Sequence, residues 1–141
     1  MGFSSFILEL YPMAERKFTL SKDERISWKR HIDLLFASGD SFIAFPFRII
    51  YITLEEEMPA PVSIMVSVPK KKFKRAVKRN LIKRQAREAY RLQKYDLIDP
   101  ITEKNKSLLV AFLYVDKVVQ SVEAVEKGMR KAIRLLNEKI E

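Results

Sequence analysis

Residues 66–94 read VSVPKKKFKRAVKRNLIKRQAREAYRLQK, and the interpretation of the whole chain depends on this stretch. An alternating apolar strand ends at Pro69, and a helical pattern follows in which twelve residues between 70 and 94 are basic and one, Glu88, is acidic. The rest of the chain carries 15 basic and 17 acidic groups, so the net charge of +9 is concentrated here. A nearly neutral body with one basic segment is typical of a surface that docks on a polyanion.

A helix over residues 73–94 would have two different faces at about 100° per residue. The apolar face is predicted to be buried and comprises Val77, Leu81, Ile82, Ala86, Ala89 and Leu92. The opposite face presents Asn80 with Arg79, Lys83, Arg84, Arg87 and Arg91, and Glu88 is expected to point away from it. Arginine forks match phosphate oxygens, which favours nucleic acid over a merely solvated charged face, with DNA and RNA both open. A membrane is disfavoured because the apolar side chains are assigned to a core.

Residues N-terminal to this helix predict one further helix and up to three strands. A capping box at Ser21 and Glu24 opens a helix over residues 22–38, which Gly39 ends in a left-handed conformation. Residues 42–54 are rich in β-branched and aromatic types and predict a strand in which Pro46 marks an edge, a bulge or a late start. A division of this run into two strands gives the element order stated below. Residues 62–68 alternate apolar and polar types, which predicts a half-buried strand.

The C-terminal third adds a strand and a helix. Residues 95–106 contain Pro100 and are predicted to be a loop, and residues 107–115 form a short apolar run typical of a central strand. A last helix over residues 118–139 is predicted to bury Val122, Val125, Met129, Ala132, Ile133, Leu136 and Ile140. The order α-β-β-β-α-β-α indicates a single α+β domain over residues 18–141.

Composition excludes several classes of protein. The chain has no cysteine and one histidine, which removes disulfides, thiolate nucleophiles and sites built from several imidazoles. No apolar run reaches the length of a transmembrane helix, and no export signal is recognised, so the cytoplasm is the expected compartment. We interpret residues 1–17 as an N-terminal extension, disordered or non-native, because Met13 offers a second start and residues 1–12 look dispensable.

The basic segment resembles the signature of the bacterial ribonuclease P protein component. Ser67, Val68, Lys70 and Lys71 match its first part, and a second part matches in register at Ala76, Val77, Arg79, Asn80, Lys83, Arg84 and Arg87. Leu81 stands where the family pattern has an arginine. Upstream, Arg25, Ile26, Phe36 and Gly39 also match, while Ile32 replaces the first of two aromatic residues. The likeness covers residues 18–139.

The resemblance implies a fold, partners and site residues. The fold is a sandwich similar to a ribosomal protein domain, with a left-handed β-α-β crossover whose helix binds the catalytic RNA. The residues implied in binding that RNA are Lys70, Lys71, Lys74, Arg75, Lys78, Arg79, Asn80, Lys83, Arg84, Arg87 and Arg91. A cleft between the first helix and the sheet is implied to receive the 5′ leader of precursor tRNA, with Ile32, Phe36, Phe47 and Tyr51 as its candidate residues. The RNA and Mg²⁺, held mainly by the RNA, perform the endonucleolytic cleavage, with one protein copy per RNA.

The residue chemistry agrees with a protein that is not catalytic alone. No Ser-His-Asp set, H-E-x-x-H motif or glycine-rich phosphate loop is found. Residues 55–57 are interpreted as a solvated acidic turn, and His31 as a surface residue. Two alternatives remain open: a ribosomal-protein-like RNA-binding module without processing activity, and a nuclease that acts without RNA, which the missing acid and histidine constellation disfavours.

Overall fold

A four-stranded mixed sheet forms the centre of the molecule. The computed structural model describes residues 18–56 and 58–140. The strands are β1 (Asp40–Ala44), β2 (Phe47–Leu54), β3 (Val62–Ser67) and β4 (Ser107–Tyr114), arranged in the order β1-β2-β4-β3. The β1–β2 and β2–β4 pairs are antiparallel, and β3 runs parallel to β4. The central position predicted for β4 is confirmed, as is the split of residues 42–54 into two strands.

Within residues 18–56 and 58–140, four helices cover the sheet. They are α1 (Lys29–Ser38), α2 (Ala76–Gln93), α3 (Tyr95–Glu103) and α4 (Val122–Lys139), and a 3₁₀ turn at Lys22–Glu24 precedes them. The α+β class is confirmed, with one helix more than predicted. Because α2 and α3 connect the parallel strands β3 and β4, a β-α-β crossover is present; its left hand stays a prediction. The interpretation of residues 1–17 as an extension lies outside the described residues.

The two faces of the sheet are covered unequally. One, which we call the three-helix face, packs Phe47, Ile49 and Phe112 against α2, α3 and α4 in the larger core. The other, the single-helix face, packs Ile50 and Leu109 against α1 in a small core that includes Leu35. Alternation along β2 assigns neighbouring side chains to opposite faces.

The predicted helix over residues 22–38 is wrong at its N-terminal end. The capping box is present, with the Ser21 N–H donating to Glu24 Oε1 at 3.2 Å, but it closes the 3₁₀ turn. The chain then runs extended beside β3, where Arg25 forms a parallel bridge with Ile64 and the Ile26 N–H donates to the Ile64 carbonyl at 2.8 Å. Pairing with an open strand edge therefore outweighs continuation of the helix, and α1 begins only at Lys29.

Gly39 does not adopt the left-handed conformation predicted for it. Its φ of −74° and ψ of 149° are extended. A Cβ at this position would meet the Leu35 carbonyl oxygen and lie 2.8 Å from Ile50 Cγ2. The glycine is required by the close approach of the end of α1 to β2.

Residues 95–106 are not the predicted loop, because α3 occupies most of them. Pro100 lies inside α3 and cannot donate to the Asp96 carbonyl four residues earlier. Asn137 of α4 supplies the missing donor, with its Nδ2 2.9 Å from that carbonyl oxygen. Leu97 and Ile101 are fully buried, so α3 is stabilised by packing that residues 95–106 alone do not reveal.

The last helix begins at Val122, four residues later than predicted. Ser121 determines this start because its Oγ accepts from the Ala124 N–H at 3.1 Å. Val122 is consequently exposed in the first turn, against the prediction. The remaining predicted core positions of this segment are buried as expected: Val125, Met129, Ala132, Ile133, Leu136 and Ile140.

Candidate nucleic-acid interface

The buried face of α2 is rotated from the predicted one. Helix α2 packs through Ile82, Ala86, Ala89 and Tyr90, all essentially inaccessible to solvent. The other apolar positions of the predicted face are exposed, with exposed fractions of 79% for Val77, 41% for Leu81 and 49% for Leu92. Apolar residues occupy a wide sector of α2, and the small alanines permit close packing on one side of it. The exposed apolar positions consequently border the cations.

The same rotation brings Arg79 and Lys83 toward the core, and both are half-buried. Arg79 Nη1 donates to the carbonyl oxygens of Phe73 and Lys74 at 2.8 and 2.9 Å. The buried Phe73 precedes α2, which begins at Ala76 and not at residue 73. Arg79 therefore ties the segment that precedes α2 to the first turn of the helix.

Three further cations of the basic segment contact the protein itself, and one of them, the exposed Lys72, donates from Nζ to the Val115 carbonyl at 2.8 Å. Arg91 donates to Glu88 through two nitrogens, with Nε 3.0 Å from Oε2, and also to the Phe18 carbonyl. The expectation that Glu88 points away is wrong, and its hydrogen bond from Arg91 holds the pKa of Glu88 below its usual value. Lys94 is buried, with Nζ 2.8 Å from Glu24 Oε2. We call Arg79, Arg91 and Lys94 the anchoring cations.

A second group of cations faces outward. These open cations are exposed and, within residues 18–56 and 58–140, make no hydrogen bond or ion pair; they are Lys70, Lys71, Lys74, Arg75, Lys78, Arg84 and Arg87. Lys74, Arg75 and Lys78 line a groove of about 480 Å³ together with Lys117. The arrangement leaves positive charge available to an external anion.

Arg84 and Arg87 line a second groove, of about 320 Å³, beside the exposed Asn80. Arg25 enters the same groove from the extended segment paired with β3. Sequence reasoning did not assign Arg25 to the cationic surface, because only the pairing with β3 brings it to α2. Arg91 and Glu88, which pair with each other, also line this groove, and Arg25 donates from Nη2 to the Leu20 carbonyl at 3.1 Å. The remaining guanidinium donors and the Asn80 amide can bind phosphate oxygens and a neighbouring hydroxyl or base edge.

The four residues predicted for a leader cleft do not come together. Ile32 and Phe36 lie on α1 over the single-helix face, where Phe36 is 47% exposed. Phe47 and Tyr51 project to the three-helix face, and Phe47 is fully buried there. Since β2 alternates, Ile50 and Ile52 are its residues in the core that contains Leu35 of α1. The assignment of Phe47 and Tyr51 to that cleft is wrong.

His31 is a buried residue and not the predicted surface residue. It is 3% exposed, its ring stacks on Trp28 with centroids 4.9 Å apart, and Nε2 lies 3.6 Å from Glu56 Oε1. Together with Arg25, Trp28 and Met58 it lines a cavity of about 260 Å³ at the N-terminal end of α1. Glu56 and its neighbour Glu55 are exposed, as expected for an acidic turn, whose third residue lies outside the described residues.

The described part of the chain shows no group of three or more His, Asp or Glu side chains that could hold a metal ion. None of its helices combines the length and apolarity needed to cross a membrane.

Comparisons with known proteins point to a single protein family. The family model for ribonuclease P matches residues 20–134. A ribonuclease P protein component of Porphyromonas gingivalis is 40% identical over 116 residues, covering 82% of this chain and 85% of that protein. One from Chlorobaculum tepidum is 34% identical over 139 residues, covering 90% of each. The solved Staphylococcus aureus RNase P protein has the same fold, with a TM-score of 0.63 at 21% identity, covering 82% of this chain and 96% of that one.

Proposed function

The chain belongs to the ribonuclease P protein family, and from that premise we propose that it is the protein subunit of a ribonuclease P. In this proposal the open cations bind the catalytic RNA, and the complex removes the 5′ leader of precursor tRNA by endonucleolytic cleavage. One protein copy serves each RNA, in the cytoplasm.

The observation that carries the proposal is the groove shared by Arg25, Arg84 and Arg87. Each guanidinium can donate two parallel hydrogen bonds to one phosphate group. Asn80, beside them, can donate to or accept from a ribose 2′-hydroxyl, which DNA lacks. Convergence of these groups from two separate segments distinguishes the groove from a row of charges that are merely solvated.

Phosphate contacts also predict how binding responds to salt. Each neutralised phosphate releases condensed counterions, so the logarithm of the binding constant falls by about 0.7–0.9 per contact for each tenfold rise in salt. The anchoring cations have protein partners and are expected to add little to this dependence.

The chemistry itself is assigned to the RNA. Mg²⁺, held mainly by the RNA, would supply an activated water and stabilise developing charge on the phosphate when bound. The α2 surface offers cations and an amide, and the carboxylate of Glu88 is paired with Arg91, so the surface suits RNA phosphates and not a divalent metal ion. The part of this chain is to hold the RNA in place and to help bind the substrate.

For the leader we propose the single-helix face, with Ile32 and Phe36 of α1 in contact with it. Phe36 offers an exposed ring at the edge of the helix. Stacking of an unpaired base on such a ring contributes about 1–3 kcal/mol. This part of the proposal rests on the family resemblance together with the exposure of Phe36.

Cleavage of precursor tRNA at low Mg²⁺, with the cognate RNA subunit in the presence and absence of this protein, tests the proposal. We expect the protein to restore correct 5′ cleavage that the RNA alone performs poorly, and Arg84→Gln/Arg87→Gln to restore it only at much higher protein concentration. Lys29→Gln/Arg30→Gln on α1 removes the same charge and serves as the control for RNA-subunit binding.

Two other outcomes would indicate a different function. Salt-sensitive binding to structured RNA without any rescue would indicate a ribosomal-type RNA-binding module. Cleavage by the protein without any RNA subunit would indicate a nuclease that acts alone.

A further inference from the structure

Helix α4 carries a second basic surface that the density of charge along the sequence does not reveal. Four exposed cations, Lys127, Arg130, Lys131 and Arg134, line a groove of about 450 Å³. Glu123, Glu126 and Glu138 flank this row in sequence, yet none of the four cations makes a hydrogen bond or ion pair within residues 18–56 and 58–140. Their charge is therefore available to a ligand.

An aromatic ring lies against these cations. Phe45, in the turn between β1 and β2, lines the same groove and is 55% exposed. The turn is held on α4 by close packing against Gly128, where an added Cβ would meet the Phe45 carbonyl oxygen and lie 2.8 Å from Pro46 Cδ. The ring is thus placed in the same groove as the cations by the fold, although more than eighty residues separate Phe45 from Lys127 in sequence.

This groove lies apart from the α2 surface but in the same layer of the molecule. Helix α4 packs over β1 and β2, whereas α2 packs over β3, and the two helices contact each other. In the strand order β1-β2-β4-β3, the edge strands β1 and β3 lie about 15 Å apart, because neighbouring strands are about 4.8 Å apart. An extended polyanion on α2 can cross the helical layer to reach α4.

We propose that the α4 groove binds an unpaired segment of the same RNA subunit that α2 binds, an inference that rests on the proposed function. Lys127, Lys131 and Arg134 are spaced i, i+4 and i+7, a row of about 10 Å that follows a phosphate backbone. A base stacks on Phe45.

The combination of groups identifies the ligand class. A cationic groove with an exposed aromatic ring is typical of proteins that bind single-stranded nucleic acid. Stacking on the ring requires a base that is not stacked on its neighbours in a duplex. An acidic peptide would use the cations and leave the ring without a role. The leader of the substrate is assigned to α1 on the opposite face, which makes the RNA subunit the occupant of this groove.

Equilibrium binding of the full-length protein to the RNA subunit, without substrate and at several salt concentrations, tests the inference. We expect Phe45→Leu to weaken binding about fivefold or more with an unchanged salt slope, since it removes a ring and no charge. Lys127→Gln/Lys131→Gln should reduce the slope by about 1.4–1.8. The control Lys29→Gln/Arg30→Gln, which removes two exposed charges from α1, should change binding little. Thermal unfolding of each variant shows that the fold is retained.

Three results would overturn this inference without touching the proposed function. Groove variants that bind the RNA subunit like the wild type, while Arg84→Gln/Arg87→Gln does not, would remove the α4 site and leave the proposed function intact. Equal losses in the groove variant and the α1 control would indicate general charge attraction. A defect that appears only when precursor tRNA carries a long leader would assign the groove to the substrate. Failure of the wild-type protein to bind the RNA subunit at all would instead overturn the proposed function, and the inference with it.

Discussion

Arg79 and Arg84 carry the same guanidinium group on the same helix, but the fold uses them differently. Arg79 is half-buried and donates to two backbone carbonyls just ahead of α2. Arg84 is exposed and lines a groove with Arg25 and Arg87. The difference follows from their position relative to the buried face of α2: Arg79 borders Ile82 and its neighbours, and Arg84 lies away from them.

The comparison extends to the whole basic segment. Lys94 and Arg91 join Arg79 as anchoring cations, which hold residues 18–24 and the approach to α2 against the helix. The open cations have no such partner within the described residues. A basic segment therefore overstates its ligand-binding surface, because part of its charge stabilises the protein itself.

The largest expected effect comes from breaking the anchoring group at Lys94. In Lys94→Met the Glu24 carboxylate, only 13% exposed, loses its cation, and such a change typically costs about 3–5 kcal/mol in the free energy of unfolding. Urea denaturation measures this. Glu24→Gln/Lys94→Met should recover part of the loss, because no buried charge is then left unpaired. A loss below about 1 kcal/mol in the single variant would show that the pair is not structural.

The next effect concerns the open group. We expect Arg84→Gln/Arg87→Gln to weaken binding of the RNA subunit by tenfold or more near 0.1 M salt, because two phosphate contacts are lost. Its free energy of unfolding should stay within about 0.5 kcal/mol of the wild type, as is usual for exposed positions. Binding by fluorescence anisotropy, together with denaturation, checks both statements. A large loss of stability would place these arginines among the anchoring cations.

A smaller effect is expected at Arg79. Arg79→Ala removes two hydrogen bonds from a charged donor and should lower the free energy of unfolding by about 1.5 kcal/mol. The RNA affinity of the folded protein should fall much less than in the double variant. Wild-type stability combined with a tenfold loss of affinity would reverse the assignment.

The smallest effect is expected from a cation added to the open group. Leu81 is 41% exposed and borders the open cations, so Leu81→Arg should leave the core intact. One additional phosphate contact would strengthen RNA binding severalfold at low salt. Leu81→Gln, which adds a polar group without charge, is the matched control. Loss of stability in both variants would show that Leu81 belongs to the core after all.

Much of this architecture is predictable from local patterns. The basic helix, the central strand β4 and the core positions of α4 follow from periodicity and composition, since each depends on residues near one another in sequence. The apolar residues of α2 cover too wide a sector for a helical wheel to select one side. The packing of Ala86 and Ala89 in the fold makes that selection.

The features that were missed depend on distant partners. Helix α3 accommodates Pro100 because Asn137 donates to the carbonyl that proline leaves free. Arg25 reaches the cationic groove through its pairing with β3. Phe47 and Tyr51 were assigned to the wrong face because the side of the sheet that α1 covers is set by topology. His31 is buried beneath Trp28 for the same reason.

The salt dependence of binding to the RNA subunit tests the division between anchoring and open cations most directly. The logarithm of the binding constant would be measured against the logarithm of salt concentration for the wild type, Arg84→Gln/Arg87→Gln and Arg79→Ala. The structure predicts a slope shallower by about 1.4–1.8 in the double variant and unchanged in Arg79→Ala, where the remaining folded protein keeps every open cation. A slope reduced in Arg79→Ala and unchanged in the double variant would contradict the account.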